Sequence, residues 1–509
     1  MFMRSENSIK NIVINISGQL FSIVLRFLCT TVFIRTLGTA YLGVSGVFSS
    51  ILTLLSVAEL GVGTAIVFSM YRPLAENDHK KIGALMGLYR KAYHTIGFIV
   101  AVAGLSLVPF YRYLMKDPLN IPNLTLIYLL YLFNTVISYF FSYKQAIINA
   151  DQKNYVCTLY QYGFLIIQNI VQIFILFKTK DFILYLCAQI LFNFLTNLFL
   201  AKKADKMYPY LKKYKNEKLV KEDKSVILKN VKAMFMHRIG GAVVNGTDSL
   251  LISNFFGLVS AGINTNYFLI TSTLNGLTSQ IFGGITASVG NLGAMENDRK
   301  SYDIYLSINF AGFWIFSFSS ISLFCLFNPF IQLWAGKDLI FSIPVVFFIV
   351  LNFYATGMRQ ATLTFKNGFG LFWYDRYKAI VEAVVNLIAS IILAQHLGIT
   401  GIFIGTLIST ITIDFWVEPV VLFRHEFHRS VAPYFIRYVF YSILTFAVVF
   451  LTWYCCFLIG GFSFKEFAAK CVVCLVLPNT LFLLIFYKTK EFQYLRDFMK
   501  LPAFLKRNR

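Results

Sequence analysis

Long apolar runs, separated by short charged or glycine-bearing stretches, follow one another along nearly the whole of this chain. A helix that crosses a bilayer needs about 20 mostly apolar residues. Fourteen runs meet that requirement, at roughly 12–34, 45–69, 83–109, 123–147, 157–177, 182–201, 233–256, 263–290, 305–327, 341–364, 377–395, 400–422, 435–458 and 468–487. The pattern predicts an all-α polytopic membrane protein with 14 transmembrane helices. An even number places both ends of the chain on the same side.

Polar residues inside these runs recur at helical spacing. In the seventh run His237, Gly241, Asn245, Asp248 and Ile252 fall within roughly 80° of one another at about 100° per residue. The first run has its own polar face, made of Asn11, Asn15, Gly18, Ser22, Arg26 and Thr30. The two faces belong to a weak internal repeat. Gly38-x4-Gly43 closes the first run and Gly257-x4-Gly262 closes the seventh, offset by 219 residues. The same offset lays Gly18, Ser22 and Arg26 on His237, Gly241 and Asn245. Gly-Val-Gly-Thr-Ala after Leu60 also resembles Gly-Gly-Ile-Thr-Ala after Phe282. Six spans return a chain to its starting side, so the repeats are expected to run parallel about an axis along the membrane normal. The expected organisation is a six-helix bundle over 1–201, a basic cytoplasmic linker over 202–232, a second six-helix bundle over 233–423, and two additional helices with a basic tail over 424–509.

Ionisable groups at membrane depth are costly unless they face protein or a water-filled cavity. Further stripes occur at Gln161, Gln168 and Gln172; at Gln189, Asn193 and Asn197; at Asn264, Thr271, Asn275 and Thr278; at Asn352 and Arg359; at Glu382 and Asn386; and at Asp414 and Glu418. Any one stripe is explained by hydrogen bonds between helices. Together, on both halves, they point to a hydrated central cavity. Arg26, Ser22, Arg238, Asn245, Asn275 and Arg359 are the candidate cavity residues. A guanidinium suits phosphate or carboxylate because its donors form a planar fork. The alternative for each arginine is a structural salt bridge with Asp248, Glu59 or Glu382. Asp248, Glu59 and His237 are candidates for Na⁺ or H⁺ coupling, or are satisfied structural groups. Asp414, Glu418 and Arg424 approach a cytoplasmic end, where pairing along the helix and snorkelling explain them.

Composition agrees with this class. Hydrophobic residues make up 57% of the 509 and charged residues only 14%, against about 25% charged in soluble proteins. The net charge of +22 raises the question of nucleic acid. Its distribution excludes that: with the N-terminus inside, 35 Lys and Arg lie in inner segments, 8 in outer ones and 3 within spans. That bias marks membrane topology with N- and C-termini cytoplasmic. The 202–232 segment carries the densest charge and is expected to touch anionic headgroups. The first run is long, contains Arg26 and lacks a small-residue cleavage site, which predicts a span rather than a removable leader. Cys471-x-x-Cys474 has a redox or zinc-like spacing, but no second pair or histidine is near it in sequence. It reads as two small residues facing lipid or helix, with no metal.

Enzymatic signals are sparse. There is no Gly-x4-Gly-Lys-Ser/Thr phosphate loop and no His-Glu-x-x-His. The outer loops are short, and the first, Arg35 to Tyr41, has no acidic residue.

The ordered set of motifs resembles a known family. The matching stretches are Arg35-Thr-Leu-Gly-Thr-Ala-Tyr-Leu-Gly43, Glu59-Leu-Gly-Val-Gly-Thr-Ala65 leading to Tyr71-Arg72-Pro-Leu-Ala75, and Thr247-Asp248 with Ile252-Ser253. Later come Glu382-Ala-Val-Val-Asn386-Leu-Ile-Ala-Ser390, Gly398-Ile-Thr-Gly401-Ile-Phe-Ile-Gly405-Thr406 and Trp416-Val-Glu418-Pro419. With the 6 + 6 + 2 arrangement, the chain resembles the multidrug/oligosaccharidyl-lipid/polysaccharide (MOP) exporter superfamily, and within it the Wzx-type oligosaccharide repeat-unit flippases. The resemblance implies two bundles that alternate access to a cationic cavity in a bacterial cell membrane. It implies an undecaprenyl-pyrophosphate-linked oligosaccharide as substrate, with a polysaccharide polymerase and glycosyltransferases as partners, no nucleic acid, and no cofactor beyond a coupling cation. A same-fold alternative is cation-coupled export of amphipathic drugs. A membrane enzyme or polymerase of lipid-linked glycans is the alternative of a different class.

Overall fold

The computed structural model describes residues 2–59, 62–110, 121–151, 153–215, 217–295, 298–371 and 374–500. The chain is all-α, with no strand among the described residues. In order, the helices are α1 (Phe2–Leu37), α2 (Thr39–Leu55), α3 (Val62–Glu76), α4 (His79–Ser106), α5 (Leu124–Ser142), α6 (Gln145–Ala150), α7 (Asn154–Thr179), α8 (Phe182–Met207), α9 (Tyr210–Lys213) and α10 (Lys221–Met295). They continue as α11 (Asp298–Trp334), α12 (Ile343–Met358), α13 (Gln360–Gly368), α14 (Lys378–Leu397), α15 (Ile399–Ser409), α16 (Phe415–Leu422), α17 (Ala432–Ile459), α18 (Phe464–Phe486) and α19 (Lys490–Lys500). Where they are described, the expected apolar runs lie largely in helix. Among the described residues, nine helices are long and apolar enough to cross a membrane.

Cα packing divides the chain into two compact units, Met1–Thr265 and Asn266–Arg509. The division falls inside α10. The 202–232 segment, expected as the linker, carries α9 and the start of α10.

In the first unit α1 packs along α7, α7 on α8, α8 on α5, α5 on α4 and α4 on α3. Amides stitch these apolar helices together: Gln145 Nε2 donates to Asn197 Oδ1 at 2.8 Å, and Asn193 Nδ2 donates to Asn134 Oδ1 at 2.8 Å. Such bonds suit a setting where lipid offers polar groups no partner. The second apolar run is not one helix. It breaks into α2, a 3-10 turn (Ser56–Glu59) and α3. Gly61 and Gly63 weaken helix propensity at this point, and the break turns Ser56 and Glu59 onto tyrosines of α4 and α5.

The internal repeat is visible in the backbone. Gly38, just before α2, has φ 86° and ψ 169°, and Gly257, within α10, has φ 87° and ψ 168°. A positive φ of this kind is reached at little cost only by glycine, so Gly257 splits α10 into two helical segments just as Gly38 separates α1 from α2. Five residues later the two copies meet. A Cβ on Gly43 would lie 2.0 Å from the Leu258 carbonyl oxygen, and one on Gly262 would lie 2.2 Å from the Thr39 carbonyl oxygen. Thr39 and Leu258 are themselves 219 residues apart, as are Gly43 and Gly262. The contact is therefore reciprocal, backbone against backbone, with each repeat giving equivalent positions.

In the second unit α11 is the common wall. Phe310, Phe313 and Ile321 of α11, Tyr354 and Met358 of α12, Tyr441 and Val448 of α17, and Phe482 and Phe486 of α18 form one buried cluster. Phe313 stacks on Tyr441 at 4.0 Å between centroids, and Trp314 Nε1 donates to Asn479 Oδ1 at 2.8 Å. The final apolar helices thus have a dedicated seat. α14 and α15 form a tight hairpin in which Gly401 abuts the Leu393 carbonyl and Gly405 abuts Ser390, the close approach that small residues four apart allow.

Candidate functional site

The predicted cavity and coupling residues divide between the units. Ser22, Arg26, Glu59, His237, Arg238, Asn245 and Asp248 belong to the first, and Asn275 and Arg359 to the second. The side chains of His237, Arg238 and Asn245 lie outside the described residues, as do those of Asn11 and Asn15.

On α1 the described part of the polar face is packed around Ser22, open at Arg26 and half-buried again at Thr30. At Gly18 a Cβ would meet the Tyr162 ring of α7 at 2.2 Å, so the face begins against protein. Ser22, one turn on, is buried. Arg26, a further turn on, is exposed and makes no ion pair among the described residues. Arg26 is thus a cation on an otherwise apolar stretch of helix, where Phe21, Val24 and Leu28 are exposed beside it.

Glu59 is held by tyrosines. The Tyr93 hydroxyl donates to its carboxylate, Tyr89 donates to the Tyr93 oxygen at 3.2 Å, and Tyr139 donates to Ser56 Oγ at 3.1 Å. Gly63 leaves room for both α4 hydroxyls, since a Cβ there would come within 2.8 Å of each. The tyrosines escape a reading that counts aromatics as apolar; the available signal was the i, i+4 spacing of Tyr89 and Tyr93 opposite a carboxylate. Asp248 is half-buried in α10 beside buried Thr247. Two residues earlier Gly246 approaches Leu54 and Ser50 of α2.

In the second unit Asn275 is exposed. Arg359, between α12 and α13, is buried and fully engaged. Its Nε and Nη2 donate to the two carboxylate oxygens of Glu418 at 3.0 and 2.8 Å, and Nη1 lies 2.5 Å from Asp414. Lys378, at the start of α14, reaches Glu418 and lies 3.0 Å from Asp414. The contacts to Asp414 are close ion pairs that are not aligned as hydrogen bonds. Glu382, one turn after Lys378, lies beside Asp414, and Lys366 and Asp375 form a second buried pair nearby. Asp414 and Glu418 are 1% and 0% exposed, which corrects the expectation that they snorkel at a cytoplasmic end. A π-helical turn (Thr410–Asp414) precedes α16, an irregularity of the kind often found at functional sites. Arg359 thus takes the salt-bridge alternative, with partners that spacing along the chain did not indicate. Lys378, which the reading of the sequence did not single out, belongs to the same cluster.

Members of three other stripes bond between helices: Asn352 Nδ2 donates to the Phe403 carbonyl at 2.8 Å, Asn386 Nδ2 to Thr406 Oγ1 at 3.0 Å, and Gln172 Nε2 to the Tyr185 carbonyl at 3.3 Å, whereas Thr271 and Thr278 donate to carbonyls of their own helix. Among the described predicted cavity residues, Arg26 and Asn275 are exposed.

No protein-family model and no curated protein matches the sequence. Solved structures do match. A lipid II flippase, MurJ, in an inward closed conformation superposes with a TM-score of 0.63 at 16% identity, over 94% of this chain and 99% of that one. This chain shares the fold of MOP-superfamily transporters. An inward-facing multidrug resistance MATE family transporter of that superfamily gives 0.61 at 15% identity, over 80% of this chain and 98% of that one. A MOP superfamily transporter from Pyrococcus furiosus gives 0.52 at 14% identity, covering 79% and 92%. At these identities the likeness defines the fold and leaves the substrate open.

Proposed function

We propose that the protein is a flippase that carries an undecaprenyl-pyrophosphate-linked oligosaccharide repeat unit from the inner to the outer leaflet, for assembly of a cell-surface polysaccharide. The observation that carries this reading is the extent of the likeness to a lipid II flippase, 94% of the chain against 80% for the MATE transporter. That margin is close to the combined length of α17–α19. The second support is Arg26, an exposed guanidinium on an apolar helix, which suits a diphosphate. The sugar and diphosphate need a wet path, while a polyprenyl tail can stay in lipid. No covalent chemistry is required, only different affinity in two states biased by a gradient or by product removal.

In this reading the two copies of the glycine motif, each lying in an expected outer loop, close the outer side when their backbones meet. Na⁺ or H⁺ coupling through Asp248, Glu59 or His237 belongs to the proposal, as do the inward termini and a polymerase and glycosyltransferases as partners. The test is transfer of a fluorescent polyprenyl-diphosphate sugar across proteoliposomes. No transfer with any of several glycans, by correctly oriented protein, would sink it.

A second reading is export of amphipathic drugs coupled to Na⁺ or H⁺, favoured by the fold shared with the multidrug resistance transporter. It predicts a change in drug sensitivity on deletion of the gene, with glycan surface unchanged.

A further inference from the structure

Three buried cysteines from three helices of the second unit converge: Cys325 of α11, Cys456 of α17 and Cys474 of α18. Their sulfurs all lie within 4.8 Å of one another, and the Cys456 and Cys474 sulfurs are 3.9 Å apart. The pair singled out by sequence spacing is separated by the fold: Cys474 joins this cluster, while Cys471 is half-buried outside it and Cys455 likewise stays apart.

We propose that these three thiols form a binding site for a soft monovalent d¹⁰ cation, Cu(I) in its natural form. Thiolate ligands select soft metals. Three sulfurs around one ion at a metal–sulfur distance of about 2.3 Å would sit about 4 Å apart in a plane, so a contraction of less than an ångström completes the triangle. Leu326, Trp453 and Val473 pack around the cluster, and no nitrogen or carboxylate ligand joins it among the described residues. Zn²⁺ favours a fourth ligand; a monovalent soft ion is satisfied by three. Binding converts three thiols to thiolates and releases three protons, with no electron transferred. Lys470, one turn before Cys474 and buried, sets a positive charge on the same helix; its ammonium donates to the Gly461 carbonyl at 2.8 Å. The ion would tie α17 and α18 to α11, adding a fastening to the pair of helices that has no counterpart in the internal repeat.

Ag(I), which binds like Cu(I) without redox chemistry, is the probe. Full-length protein in detergent, reduced and freed of reductant, is titrated with Ag(I) against a competing chelator. The Cu(I)-loaded protein is examined by X-ray absorption. Wild type is expected to hold one ion with sulfur neighbours alone and to melt several degrees higher when loaded. Cys325→Ser, Cys456→Ser and Cys474→Ser should each lose more affinity than the about 10–100-fold that follows loss of an outer-shell partner. Cys455→Ser and Cys471→Ser should bind as wild type does. Metal-free melting of each variant, matched to metal-free wild type, shows that lost binding is not lost folding. Undiminished binding after any of the three substitutions overturns the site. So does an absence of Ag(I) uptake after reduction, with a Cys456–Cys474 disulfide found in protein purified without reductant.

Discussion

Arginine inside a membrane protein is either committed to structure or held for a ligand, and Arg359 and Arg26 separate along that line. Arg359 gives its fork to Glu418 and shares Asp414 with Lys378. Breaking a buried pair from one side leaves an uncompensated charge and costs about 3–5 kcal/mol. Arg359→Ala and Glu418→Gln should therefore both lower thermal stability sharply in detergent. Glu382→Gln should not, because the two cations nearest it already face Asp414 and Glu418. Arg26 is exposed without an ion pair among the described residues. Arg26→Ala should change stability by no more than the about ±0.5 kcal/mol typical of such positions, read from its melting curve, while reducing transfer in proteoliposomes. Equal loss of stability in both arginine variants would erase the distinction. At this scale the sequence revealed which residues are out of place in lipid, since a charge in an apolar run is conspicuous. It did not reveal who pairs with whom. Asp414 and Glu418 look like neighbours on a helix end, and only the packing of the helices brings Arg359 and Lys378 to them.

The elements were legible wherever one residue type controls the backbone. The glycine offset predicted an internal repeat, and Gly38 and Gly257 have nearly the same φ and ψ. The break after α2 was less legible, because a run of apolar residues hides a turn that is stabilised from outside by Tyr93 and Tyr139. At the crossing of the two repeats, Gly43→Ala and Gly262→Ala each drive a methyl group into a carbonyl. Overpacking of this kind costs about 1–3 kcal/mol. Each should destabilise the protein by a similar amount, and the double variant should cost less than the sum, because the first substitution has already parted the backbones. Melting curves of the four proteins test this; strict additivity would argue against a shared contact. If the crossing closes one side during transport, the same variants should slow transfer about tenfold or more, following the same energy.

For the whole molecule, helical class and membrane character follow from run length and composition, physical properties that need no tertiary information. The seat of the last helices could not be read that way. α17 and α18 look like independent spans, yet Tyr441, Phe482 and Phe486 complete the cluster of Phe310, Phe313 and Met358. A chain ending after residue 431 would leave that wall of α11 uncovered. It is expected to accumulate poorly and to elute as aggregate, which size-exclusion chromatography in detergent would show. A monodisperse truncated protein would make the final helices an accessory. The reciprocal contact of Gly43 and Gly262 has a consequence for descent as well. When both copies of a duplicated segment meet through their own equivalent residue, neither copy can drift alone. A mutation in one is a change of environment for the other, so at this point the two halves are expected to share a single evolutionary fate.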